Sequence, residues 1–283
     1  MRKRDSGSGR VKKLTTIMKQ PPPPPPPPPS APPPSITIAT CSLTHCVQVC
    51  SGKAYAWATS VRGGNRFGQL GRPKSTTASE RTDEGSRREI ILHPSDSSQI
   101  SGVAAGGSKD SGHTLLLDVD GNVHAIGCDR WQQLGLGSTK AGAVGYTWKG
   151  RLWHYTPQRV HALPTGATVQ VAAGDDHSVA LLESGQVWTW GRGEHGQLGV
   201  QGAPFVMPPT RSLELSVSPF KGGDGSRGGG VQILAEGNCT GVIHTRGGIG
   251  GSGSGGSGYL KYVGKCKKDL LDKWKKIAET VLE

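Results

Sequence analysis

One segment recurs along this chain, and that recurrence constrains its fold more than any other feature. Val103 to Gly137 reads VAAGGSKDSGHTLLLDVDGNVHAIGCDRWQQLGLG, and Val171 to Gly199 reads VAAGDDHSVALLESGQVWTWGRGEHGQLG. An eroded copy, IATCSLTHCVQVCSGKAYAWATSVRGGNRFGQLG, runs from Ile38 to Gly71. A fourth begins at Val231 with VQILAEGNCTGVIHT and stops after Thr245. The corresponding positions His45, His113, His177 and Thr240 are 68, 64 and 63 residues apart. A unit repeated at a steady period cannot bury its own apolar face, so its neighbours must stack or close into a ring. The expected function of such a chain is surface presentation.

Within each unit, HSVALLESGQVWTW divides into two runs of alternating apolar residues joined by Ser184-Gly185. Asp120-Gly121 and Ser51-Gly52 hold the same place in the other units. A short glycine turn between such runs is a hairpin signal, because glycine reaches positive φ without steric cost. A further strand is expected at Val169–Ala173, and the closing Gly-Gln-Leu-Gly lets the chain bend tightly. Several short strands per unit, repeated radially, describe a propeller blade.

The pattern V-A-A-G…H-S…L…G-x-V-x-x-W-G…G-Q-L-G resembles the regulator of chromosome condensation repeat family. Val171–Gly199 matches almost throughout. The second unit has four extra residues between Gly106 and His113, and carries Ile126 at the Trp190 position. The first has Ala58 where Gly127 and Gly191 sit. The resemblance covers about Ile36 to Thr245 and implies an all-β fold, a partial propeller of about three to four blades. The family's ring has seven blades. This chain is therefore expected either to have its open edges covered by a partner or second copy, or to be a truncated product of a longer propeller gene.

The expected organisation is a disordered basic arm and polyproline segment over 1–35, repeats over 36–246 (about 36–71, 100–137, 168–199 and 231–245), a Gly/Ser linker over 247–258, and an amphipathic helix over 259–283. The connections Arg72–Gln99, Ser138–Gly166 and Val200–Gly230 are long for a compact domain. The helix rests on Val263, Leu270, Leu271, Trp274, Ile277, Val281 and Leu282 at three-and-four spacing, with lysines on the other face. It reads either as a helix for a partner groove or membrane surface, or as one docked on the chain's own last blade.

The formal charge of +12 is concentrated at the two ends. The basic amino end fits a solvated tail, an import signal, a nucleic-acid arm or an organelle presequence centred on Val11–Lys19. Pro21–Pro29 reads as a stiff spacer or as a ligand for a proline-recognition module. No apolar run is long enough for a transmembrane segment. The six cysteines, at 41, 46, 50, 128, 239 and 266, are expected to be free thiols in a reducing compartment. No second ligand pair accompanies the Cys41–Cys50 cluster, so no metal is expected. The expected location is intracellular: cytoplasmic or nuclear, with mitochondrial left open.

Enzyme signatures fail one by one. Gly251, Gly253 and Gly256 satisfy a dinucleotide spacing, but in low-complexity sequence with no second strand to follow. Asp118–Gly121 is a hairpin turn, with its glycine too early for a calcium loop. Asp176, His177 and Ser178 adjoin in sequence, but a catalytic triad is defined by geometry. The repeated histidine is expected to bond backbone in each blade. No catalytic, cofactor or metal residues are expected, and the chain reads as a non-catalytic scaffold for protein partners. The resemblance also implies an alternative, nucleotide exchange on a small GTPase, or chromatin-associated binding. Nucleic acid remains a weaker partner class. The candidate partner-binding residues are Trp148, Arg151, Trp153 and Tyr155 after the second unit, where aromatics interleave with arginine, and Leu270, Trp274 and Ile277 on the helix.

Overall fold

The structure, a computed structural model, describes residues 38–59, 65–72, 86–92, 99–108, 111–137, 153–216, 231–245 and 258–282. All of them lie within the unit Ser35–Glu283. The basic arm, Pro21–Pro29, most of the Gly/Ser linker, Trp148 and Arg151 lie outside the described residues.

Four antiparallel sheets follow one another along the chain. Blade one is β1 (Ile38–Cys41), β2 (His45–Cys50), β3 (Lys53–Ala58) and β4 (Arg88–Ile90). Blade two is β5 (Ile100–Gly106), β6 (His113–Asp118), β7 (Val123–Cys128) and β8 (Trp153–Arg159). Blade three is β9 (Thr168–Ala173), β10 (His177–Leu182), β11 (Val187–Arg192) and β12 (Val206–Ser212). Blade four has three strands, β13 (Val231–Glu236), β14 (Cys239–Thr245) and β15 (Gly258–Gly264), followed by the helix α1 (Lys268–Leu282). The fold is a partial β-propeller.

The hairpins form where glycine allows them. Ser51 and Gly52 both take positive φ, 51° and 74°, between the paired residues Cys50 and Lys53. This tight two-residue turn matches the twist of its strands. The outer strands had no comparable signal. β4, β8 and β12 lie inside stretches that read as long connections. β8 and β12 contain Pro157, Pro208 and Pro209, which an edge strand tolerates because proline has no N–H to donate.

The core lies between blades. Val47, Val49, Ala54 and Ala56 of blade one pack with Val103, Ala105, Leu116 and Ile126 of blade two. The other face of blade two, with Leu115, Leu117, Val123 and Ala125, meets Val171, Ala173, Ala180 and Trp190 of blade three. Val179, Leu181 and Val187 then meet Ile233, Val242 and Val263 of blade four. Strands β6 and β10 are buried on both faces, and each buried Val or Leu side chain contributes about 1.5–3 kcal/mol.

Two sequence expectations are corrected here. Residues 258–264 form the third strand of blade four, with Thr240 opposite Val263 and Gly241 opposite Tyr262, so the fourth unit continues past the Gly/Ser segment and α1 begins at Lys268. The chain returns to the sheet because Val263 fills the blade-three interface. Four of the six cysteines form disulfides, Cys41–Cys46 and Cys239–Cys266, and Cys50 and Cys128 are not disulfide-bonded. Register explains the first pair, since Cys41 lies directly opposite Cys46.

Candidate functional site

The repeated histidines tie one blade to the next. His45 Nε2 lies 2.7 Å from Thr114 Oγ1, His113 Nε2 3.0 Å from Ser178 Oγ, and His177 Nε2 2.8 Å from Thr240 Oγ1. Each hydroxyl donates in turn to the carbonyl of Gln69, Gln133 or Gln197 in the preceding blade, at 2.7–2.8 Å. A hydroxyl whose one proton is committed must accept from its other partner, so the proton of each imidazole sits on Nε2. Burial holds the three rings neutral, lowering His45 and His177 to about 3 and His113 to about 4. The expected bond to backbone within each blade is thus replaced by a bond to the next blade's hydroxyl.

The Gly-Gln-Leu-Gly turns, Gln-Gln-Leu-Gly in blade two, hold these carbonyls in place. The side-chain oxygens of Gln69, Gln133 and Gln197 accept from the N–H of Phe67, Trp131 and His195 at 2.8–2.9 Å. Asn65 and Asp129 occupy equivalent positions and accept from Leu70 N and Leu134 N. Burial pushes the Asp129 carboxyl up to about 7, opposed by that N–H.

The turns also carry an aromatic and guanidinium cluster. The Arg192 guanidinium lies 4.6 Å from the Trp131 ring and 5.6 Å from Phe205, and the two rings meet edge-on at 5.1 Å. Arg130 covers Trp131 at 4.7 Å. Asp176 Oδ2, 3.2 Å from Arg192 Nη1, and the Glu194 carboxylate orient that guanidinium. Phe205 is 48% exposed and Trp131 half-buried. No single stretch of sequence marks the whole cluster, because its members come from two blades and a connection. The repeated Arg-aromatic pairs Arg66-Phe67 and Arg130-Trp131 were the available signal.

A second feature is the concavity of about 650 Å³ between the inner strands β1, β5, β9 and β13. Its lining is largely backbone and small side chains, with Asp175, Glu236 and Lys273 among its charged members. Among the described residues no group of three side chains could hold a metal ion, and none of their helices is long and apolar enough to cross a membrane.

The sequence candidates are dispersed. Trp153 and Tyr155 belong to strand β8 rather than to a loop, and the Trp153 ring stands edge-on to Phe67 at 6.4 Å. Trp274 is only 2% exposed. A Cβ added to Gly241 would lie 2.7 Å from its ring, so Trp274 covers the last blade. Leu270 and Ile277 are half-buried on the same helix.

Sheets in series, bound by repeated inter-blade ties, define a propeller-type repeat protein. Residues 168–197 match one family model and residues 120–181 and 184–215 another, both described as the regulator of chromosome condensation (RCC1) repeat. Residues 120–215 of this chain thus match that repeat. It is 28% identical over 241 residues to the probable E3 ubiquitin-protein ligase HERC3 of Homo sapiens, covering 85% of this chain and 20% of that protein. It is 31% identical over 151 residues to the secretion-regulating guanine nucleotide exchange factor of Bos taurus, covering 52% of this chain and 28% of that one. The chain therefore spans less than a third of either relative. Its fold is similar to that of Prp20p from Saccharomyces cerevisiae, a protein studied for its binding to Gsp1p and histones. The TM-score is 0.51 at 18% identity, covering 84% of this chain and 45% of Prp20p.

Proposed function

We propose that this chain is a non-catalytic scaffold for protein partners, engaged through the turn end of blades two and three. The observation that carries the reading is the cluster of Arg130, Trp131, Arg192 and Phe205. It combines an aromatic side chain left in water with guanidinium groups stacked on rings, the residue types that anchor protein interfaces. Phe205→Ala with Arg130→Ala tests it, because both side chains are exposed. Recovery of partners in affinity purification should fall while the thermal midpoint holds. Unchanged recovery would defeat the proposal.

The similarity to the bovine exchange factor supports a second reading, nucleotide exchange on a small GTPase. Release of labelled GDP from preloaded small GTPases, measured with and without this protein, decides it. No acceleration across the panel rejects exchange and leaves the scaffold reading standing.

A further inference from the structure

Cys239, rather than Thr240 as the repeat spacing suggests, occupies the place of the repeated histidine, because Thr240 supplies the hydroxyl that Thr114 and Ser178 supply in blades two and three. In blade two Gly106 and Gly127 flank His113, in blade three Gly174 and Gly191 flank His177, and in blade four Glu236 and Gly264 flank Cys239. Gly127, Gly191 and Gly264 share a positive φ of 110°, 103° and 95°, which supports the equivalence. The first three blades send this side chain to the hydroxyl of the next blade. Blade four sends it to Cys266, which only Lys267 separates from α1.

The helix lies where a further blade would pack. Gly241 and Ile243 are on the Cys239 face of β14, because side chains alternate along a strand. Tyr262 and Leu260, directly opposite them, share that face. Trp274 seats against Gly241, and Lys273 Nζ reaches Glu236 at 2.9 Å. That ion pair is exposed at both ends and contributes little. A 15-residue helix by itself is marginal in water, so the disulfide is the strongest link between α1 and the blade.

We propose that Cys239–Cys266 is a thiol-exchange site, that α1 is a cap latched by it, and that reduction by a dithiol releases the cap from the terminal blade. Cys239 is fully buried and Cys266 only partly, so a thiolate of the reductant attacks the Cys266 sulfur. The bond to Cys239 breaks, and that sulfur leaves with the electron pair and takes the proton shed by the attacking thiol. The second thiol of the reductant then displaces Cys266 from the mixed disulfide, passing its proton to the departing sulfur. The protein gains two thiols and the dithiol becomes a disulfide. Lys265 and Lys267 flank Cys266 and favour the anionic attacking sulfur. Released, α1 uncovers Gly241, Ile243 and Leu260.

Hydrogen exchange by mass spectrometry on the full chain tests this, comparing the oxidised protein, the protein treated with dithiothreitol, and a Cys266→Ser variant that leaves Cys41–Cys46 intact. Amides of α1 should exchange on the order of a hundredfold faster in both altered forms, from the loop-closure entropy that the cross-link removes. Those of β14 should follow, with β6 and β10 unchanged. Oxidised-like rates for α1 in Cys266→Ser would overturn the latch. So would loss of protection in β6 and β10 together with α1, which would make the disulfide a global staple.

Discussion

At the scale of single residues, the inter-blade tie is a three-membered chain of imidazole, hydroxyl and carbonyl, and each member can be removed separately. Ser178→Ala leaves the His113 Nε2–H buried without an acceptor, while Gln133 O keeps its bond from Trp190 Nε1 at 2.8 Å. The expected loss is about 1–3 kcal/mol in urea denaturation. Ser178→Thr, matching Thr114 and Thr240, should recover most of it; equal losses for both variants would show that packing, not the bond, was disturbed. The histidines also set a pH dependence. Unfolded, each takes up a proton near 6.5, whereas folded they stay neutral down to about 3–4. Below 6.5 the unfolded chain binds more protons, so stability falls with falling pH, by roughly 1.4 kcal/mol per histidine per pH unit. Asp129 works the other way: its folded value of about 7 lies above the ordinary 3.8, so its contribution is lost as pH rises through that window. Burial also lowers His154, which adds to the three histidines, and raises Asp175, which adds to Asp129. The histidines outweigh the two acids, so the denaturation midpoint should drop steadily from pH 6.5 to 4.5, and Asp129→Asn should steepen that drop. A midpoint flat over this range would contradict the buried, neutral histidines. Gln132 holds a φ of 56° where Gly68 and Gly196 hold 75° and 76°. Gln132→Gly should therefore stabilise the protein by roughly 0.5–1 kcal/mol, read from the same denaturation curves.

At the scale of elements, blade four shows how a strand and a helix can be mistaken for one helix. The apolar spacing of 259–283 runs unbroken across Gly264, yet the segment splits there because Gly264 takes a φ of 95°. An added Cβ would lie 2.3 Å from the Asn238 carbonyl oxygen. The helix that remains depends on Gly241 as a seat for an indole. Gly241→Val should displace Trp274 and α1, seen as a red shift in tryptophan emission and loss of near-ultraviolet circular dichroism. Blades two and three should retain their protection in hydrogen exchange. An unchanged spectrum would mean that α1 does not rest on this face.

At the scale of the whole propeller unit, stability is a sum of blade and interface terms. Blades two and three have apolar interfaces on both faces, and blade four has an interface on one face and α1 on the other. Blade one packs on blade two through Val47, Val49, Ala54 and Ala56. Its opposite face, with Gln48, Tyr55 and Trp57, is half-buried. Native-state exchange should therefore rank β6 and β10 slowest and β2 and β3 faster, with a blade-one subunit opening first as denaturant rises. Equal protection of β2 and β10 would indicate that the face of Tyr55 and Trp57 is covered as thoroughly as an internal one.

Much of this was legible in the residues alone. Repeat period, hairpin turns and apolar alternation were enough to place β2, β3, β6, β7, β10 and β11, because each such feature acts within one hairpin and leaves a mark at fixed spacing. The equivalence of His45, His113 and His177 was legible for the same reason. What the residues alone did not disclose depended on which segments come together in space. The strand Gly258–Gly264 is joined to β14 by a pairing across a Gly/Ser segment, and local spacing there favoured a helix. The edge strands β4, β8 and β12 have only one neighbouring strand and show little alternation. Cys239 could be recognised as the fourth blade's counterpart of His177 only once β14 had partners on both sides, since a one-residue slip moves every side chain to the other face. Local chemistry specified the blades; burial between blades decided their register, their ties and the helix that covers the last one.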